Sequence, residues 1–158
     1  MTTIVFKDGI LVSDTQVTDG TLAVGTVVKS GRVSDDVLWA GVGSLTCLQS
    51  FRDWILSGAK GKFKPRGFRN QDKMFLFYRK KVHHNVGIGW EYFIAEWRQG
   101  NWSICRCSEY GFAEGSGASY AMGALVSGAS VMSAALVASK LDPWTNDSMT
   151  VLQMGPKV

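Results

Sequence analysis

Apolar residues recur along this chain in short runs of two kinds, one with the alternation of a strand and one with the spacing of a helix. Thr3-Ile4-Val5-Phe6-Lys7 and Ile10-Leu11-Val12-Ser13-Asp14 are strand-like runs separated only by Asp8-Gly9, the dipeptide that signals a tight hairpin most strongly. The pattern predicts that the amino terminus enters a sheet from its second or third residue, where chain ends are ordinarily loose. Thr26-Val27-Val28-Lys29 and Val37-Leu38-Trp39-Ala40 predict further short strands, and Gly41-Val42-Gly43-Ser44 turns the chain toward a helix. From Leu45 to Leu56 the residues Leu45, Leu48, Phe51 and Ile55 keep a helical period with few charges between them, as in a helix laid on a sheet.

After Ser57-Gly58 the chain changes character. Pro65, Gly67 and Asn70 make the stretch up to Lys73 poor helix material, so it reads as a long loop with one turn at most. Met74-Phe75-Leu76-Phe77-Tyr78 predicts a strand. Glu91 to Glu96, a turn at Gln99-Gly100-Asn101, and Trp102 to Cys107 predict a second hairpin. Ala118 to Val126 and Ser130 to Lys140 are rich in small and apolar residues and predict two helices broken at Ser127-Gly128, with Ser130 capping the second. Asp142-Pro143 closes that helix, and Met149 to Met154 returns as a strand.

Hairpins demand antiparallel neighbours, which excludes an ordinary parallel doubly wound sheet. The order of elements is met by two sheets packed face to face with helices outside. Residues 1–158 show no linker, internal repeat or low-complexity tail and read as one domain, long enough to bury a substantial core.

Composition adds three points. Hydrophobic residues make up 46% of the chain and charged residues 19%, which suits a folded domain with a sizeable subunit contact. No apolar run approaches the roughly 20 residues that span a bilayer, and Met1-Thr2-Thr3-Ile4-Val5 lacks the basic start of a signal peptide, so a cytoplasmic protein without a membrane partner is expected. The three cysteines, Cys47, Cys105 and Cys107, are too few and too irregular for a disulfide framework. With His83 and His84 the last two make a nominal metal quartet, but the spacing is not that of a zinc knuckle and no metal or cofactor is expected.

Charge is unevenly distributed. Between Lys60 and Lys81 lie Lys60, Lys62, Lys64, Arg66, Arg69, Lys73, Arg79, Lys80 and Lys81 against the single acid Asp72, so more than half of the chain's 17 basic residues occupy one stretch. It is either a solvated loop or a surface for an acidic protein, an acidic peptide or nucleic acid. Nucleic acid ranks low, because Phe63 and Phe68 interleave with the charges but no binding module surrounds them.

Met1-Thr2-Thr3-Ile4-Val5 with its hairpin and Asp14, then Val27-Val28-Lys29, Ala40-Gly41-Val42-Gly43, Gly115-Ser116-Gly117 with Tyr120-Ala121, and Asp142-Pro143-Trp144-Thr145 resemble, in order and nearly in spacing, the proteasome beta-subunit and HslV family of N-terminal nucleophile hydrolases. The resemblance implies an α+β fold, a four-layer αββα sandwich of two antiparallel sheets, here with a reduced helical layer. It implies a threonine peptidase in a homo-oligomeric assembly, acting on peptide or protein substrates. Thr2 would be the nucleophile once Met1 is removed, its free amine serving as base; a neutral α-amine, with a pKa of about 8, is competent for this and an amide nitrogen is not. The resemblance assigns Lys29 to polarising Thr2, Asp14 to holding Lys29, Gly43 to donating its N–H to the oxyanion, and Ser116, Asp142 and Thr145 to an outer ring of hydrogen bonds.

The match is weakest in the middle of the chain. A second long helix of the family is displaced or reduced to the basic loop from Gly58 to Lys73, and Cys47 stands where relatives often carry Asp. Virus-encoded relatives exist, so a catalytically silent structural or assembly subunit, including a virion component, is the alternative expectation. An amidase for small molecules ranks below both.

Overall fold

The computed structural model describes residues 2–19 and 22–155, with all their side chains except that of His84. Met1, whose removal the sequence reading requires, lies outside the described residues. In chain order the elements are β1 (Thr3–Lys7), β2 (Ile10–Asp14), β3 (Gln16–Asp19), β4 (Leu22–Thr26), β5 (Ser30–Ser34), β6 (Val37–Val42), α1 (Leu45–Leu56), β7 (Lys73–His84), β8 (Gly87–Arg98), β9 (Asn101–Arg106), β10 (Phe112–Gly115), α2 (Ala118–Val126), α3 (Val131–Leu141) and β11 (Met149–Gln153).

The first hairpin forms as predicted, with Lys7 opposite Ile10 across Asp8-Gly9. β1 and β2 are the inner strands of a four-stranded antiparallel sheet ordered β10-β1-β2-β11, and β5 to β9 form a five-stranded sheet in sequence order. Alternation on β1 divides the core. Ile4 and Phe6 face Leu38, Phe75, Phe77 and Ile94 of the second sheet, while Val5, with Val12 of β2, faces Ala121, Leu125, Ala134, Ala135 and Ala138 of α2 and α3. The small residues of α2 and α3 are what let two helices lie this close to the sheet. α1, capped by Ser44 at the Cys47 N–H, covers the second sheet through Leu48, Phe51 and Ile55, packed with Trp39, Met74 and Trp97.

All three predicted helices are present with nearly the predicted bounds, Ser130 capping α3 through the Ser133 N–H. The expected four-layer αββα sandwich of two antiparallel sheets is overturned. Strands take 46% of the described chain and are divided among three sheets, while the three helices are short and take 21%. The protein is a small β-rich domain. Two local causes are visible. Among the described residues β3 and β4 pair only with each other, as a separate ribbon. The stretch between α1 and β7 cannot supply a helical layer, because Gly58, Ala59, Gly61 and Gly67 all take positive φ, a backbone through which no helix continues.

Two strand predictions also shift. The run expected at Thr26 to Lys29 ends as a strand at Thr26, and Lys29 precedes β5, its carbonyl accepting the Gly41 N–H at 3.0 Å. β7 and β8 run 12 residues each, and β6 accompanies β7 only as far as Tyr78, so the rest of the hairpin projects as a two-stranded arm. No helix among the described residues is long and apolar enough to cross a membrane.

Candidate active site

A cleft of about 640 Å³ opens where β1, the turn before α1 and the start of α2 converge; Thr2, Lys29, Gly43 and Ser116 all line it. Asp14, Asp142 and Thr145 are buried in the surrounding structure and act on the cleft through hydrogen bonds. All seven residues singled out in the sequence therefore belong to one region.

Thr2 is held by its peptide plane. Its carbonyl accepts the Ser116 N–H at 3.0 Å, and the N–H on the other side of the same peptide group, that of Thr3, donates to Asp14 Oδ1 at 2.7 Å. A planar group fixed at both ends cannot rock. Close approach of β10 is part of the arrangement: Gly115 lies opposite Thr3, and a Cβ at Gly115 would run into the Thr2 carbonyl.

Asp14 is fully buried and uses both oxygens. Oδ2 accepts the Lys29 ammonium at 2.9 Å and the Gln16 N–H at 3.0 Å; Lys29 also donates to the Gln16 carbonyl. Burial pushes the Lys29 pKa below its ordinary 10.5, opposed by the Asp14 charge. Burial likewise pushes Asp14 above its ordinary 3.8, opposed first by Lys29 and then by the Thr3 N–H. A buried ammonium lining a cleft is an electrostatic device: it depresses the pKa of a nearby amine and favours developing negative charge.

Behind Thr2 runs a second, directed network. Asp142 Oδ2 accepts the hydroxyls of Ser116 at 2.6 Å and Thr145 at 2.5 Å. Thr145 Oγ1 and Thr3 Oγ1 are 2.5 Å apart, and the Gly117 N–H donates to Thr3 Oγ1 at 3.0 Å. A hydroxyl has one proton, so with Thr145 donating to Asp142 the Thr3 hydroxyl must donate to Thr145. The carboxylate is thus wired to β1 through two threonines, and it reaches the segment around Thr2 through Thr3.

Gly43 has φ of +118°, the region that favours glycine, and a Cβ there would collide with the carboxylate of Asp72. Asp72 is fully buried. It accepts the Ser44 N–H at 2.6 Å, the Ser44 hydroxyl at 2.8 Å and the Arg69 N–H at 2.8 Å, tying the basic loop to the turn that carries Gly43. Its charge, after burial itself, helps push the Cys47 thiol up to about 12.

Thr3 and Asp72 are the residues that sequence reasoning misses. Thr3 had a signal in its adjacency to Thr2 on a buried strand. For Asp72 the signal was its isolation among cations. Phe63 is buried against Trp97 and Phe68, itself exposed, lies edge-on to the same ring, with centroids 5.0 Å and 5.5 Å away. Of the nominal metal quartet, the His84 side chain lies outside the described residues; Cys105 is exposed, and Cys107 is half-buried with its thiol pushed up to about 11, chiefly by burial. The chain matches no protein-family model and no curated protein.

Proposed function

We propose that this protein is a threonine peptidase of the N-terminal nucleophile type, related to the proteasome beta-subunit and HslV family and working in a homo-oligomer after removal of Met1. The observation that carries the reading is the buried Asp14 carboxylate, which holds the peptide group after Thr2 with one oxygen and the cleft-lining Lys29 ammonium with the other.

In the proposed reaction the free Thr2 amine takes the proton of the Thr2 hydroxyl as its oxygen attacks the substrate carbonyl. The Lys29 charge keeps that amine neutral and ready to accept. The Gly43 N–H donates to the oxyanion. On collapse the scissile C–N bond breaks, the leaving amine takes the proton from the Thr2 ammonium, and an ester to Thr2 remains. Water, deprotonated by the same amine, then attacks the ester carbonyl; the bond from that carbon to Thr2 Oγ1 breaks, the Thr2 ammonium returns its proton to Oγ1, and the acid product leaves.

Intact-mass measurement of protein from its native source, followed by a peptide hydrolysis assay, tests this. Loss of Met1 and turnover that disappears in Thr2→Ala are expected. Met1 retained on every chain, or unchanged turnover in Thr2→Ala, overturns it. The second reading, a silent assembly subunit, is favoured by the β7–β8 arm, where Val86 is 98%, Ile88 65% and Trp90 40% exposed. It predicts an assembled particle in sedimentation with no hydrolysis.

A further inference from the structure

We infer that the cleft selects peptides carrying an acidic side chain and that Arg69 is the residue that selects them. The inference rests on the peptidase reading for its class of ligand and adds to it a specificity and the group responsible.

Arg69 belongs to the basic loop, and the loop is fixed. Phe63 is buried among Phe51, Trp54 and Trp97, with ring centroids 5.0 Å, 5.5 Å and 5.0 Å away, and Phe68 packs edge-on to Trp97. At the far end Asp72 holds the Arg69 N–H and the turn bearing Gly43 together. The backbone of Arg69 is therefore registered against the proposed oxyanion site, and Arg69 lines the same cleft as Thr2. A group positioned before binding loses less freedom when ligand arrives.

Among the described residues, four charged side chains line the cleft: Lys29, Arg69, Asp19 and Glu114. Lys29 is engaged with Asp14, and Glu114 is neutralised by Lys73 at 3.0 Å. Arg69 and Asp19 form no ion pair among the described residues. The stretch that leads to Arg69 carries Lys60, Lys62, Lys64 and Arg66 and contains no acid before Asp72, and the Asp72 carboxylate is buried and engaged by N–H and hydroxyl donors. A guanidinium takes a carboxylate with two parallel hydrogen bonds. Asp19, on β3, adds a negative charge to the same lining. The site therefore suits one acidic side chain near Arg69 rather than a uniformly anionic polymer.

The test is fluorescence anisotropy with labelled hexapeptides that differ only in a central Glu, Gln or Lys, titrated into full-length Thr2→Ala protein. The Glu peptide should bind about fivefold tighter than the Gln peptide, the size of one partly screened ion pair, and the difference should vanish in high salt. Arg69→Glu should invert the order in favour of Lys, whereas Lys140→Glu on α3 should leave the order as it is. Equal binding of the three peptides, no binding of any, an unchanged order in Arg69→Glu, or tighter binding of a single-stranded oligonucleotide would each overturn the inference. The two proposals fail separately. Hydrolysis by Met1-free wild type without charge preference sinks the selectivity alone, and Glu-selective binding without hydrolysis sinks the peptidase chemistry alone.

Discussion

Lys29 donates to Asp14 across 2.9 Å with both side chains almost wholly out of solvent. Removing two charges from water costs several kcal/mol each, and mutual attraction seldom exceeds that cost. The displaced pKa values say the same, since burial outweighs the partner in both. Asp14 holds its proton above the unfolded value of 3.8, so in the window above 3.8 the folded state binds more protons and stability falls as pH rises. Lys29 loses its proton below the unfolded value of 10.5, so in the window beneath 10.5 the unfolded state binds more protons and stability rises with pH. Compared with an Asp14→Asn/Lys29→Met double variant, the wild type should show its least favourable stability between the two windows. Urea unfolding across pH measures this; a maximum there instead would refute it. Each single variant should lose about 3–5 kcal/mol, because it strands the other group.

Thr3 should matter to activity although it never touches substrate in the proposed reaction. Thr3→Val removes the hydroxyl between Gly117 and Thr145 and leaves a buried N–H without an acceptor, at a cost of about 1–3 kcal/mol. With Thr2 less firmly placed, kcat should fall more than KM rises, and Thr3→Ser should restore both. Equal kinetics for Thr3→Val and wild type would remove Thr3 from the site.

These two residues also mark what can be read from sequence. The first hairpin, the three helices and the Ser130 cap depend on signals within a few residues of one another, and they are legible. Thr2, Asp14, Lys29 and Gly43 lie within the first third of the chain and are legible as an ordered set. Asp72 is not, because its role is created by a hydrogen bond to Ser44 across a separation of 28 residues. The division into three sheets escapes for a similar reason: β3 and β4 have strand-like residues, but their isolation from the larger sheets is a matter of tertiary placement. The full length of the β7–β8 arm is hidden by its charged outer half, where Arg79 lies 4.1 Å from the Trp90 ring centroid and the cations sit over aromatics instead of marking a loop.

The cysteines should react in a fixed order. With its pKa near 12, the buried Cys47 has about one thiolate in 10⁴ at mildly alkaline pH, and the thiolate is the reactive form. Iodoacetamide should modify exposed Cys105 first, half-buried Cys107 slowly, and Cys47 only on unfolding. Peptide mapping by mass spectrometry reads this directly; early labelling of Cys47 would contradict the burial described for α1.

Gly43→Ala tests the link between the turn and the loop. The new methyl group must displace Asp72, and the backbone must carry a side chain at φ of +118°, together a cost of about 1–3 kcal/mol or more. Because Asp72 also holds the Arg69 N–H, the damage should not stay local: the loop should loosen, and trypsin should cut native Gly43→Ala protein between Lys60 and Arg69 faster than wild type. Asp72→Asn should have the same effect by a different route, since an amide can accept from Ser44 and Arg69 on only one of its two atoms. If Gly43→Ala lowers the melting temperature while the loop stays as resistant as in wild type, the turn and the loop are independent, and Asp72 does not couple them.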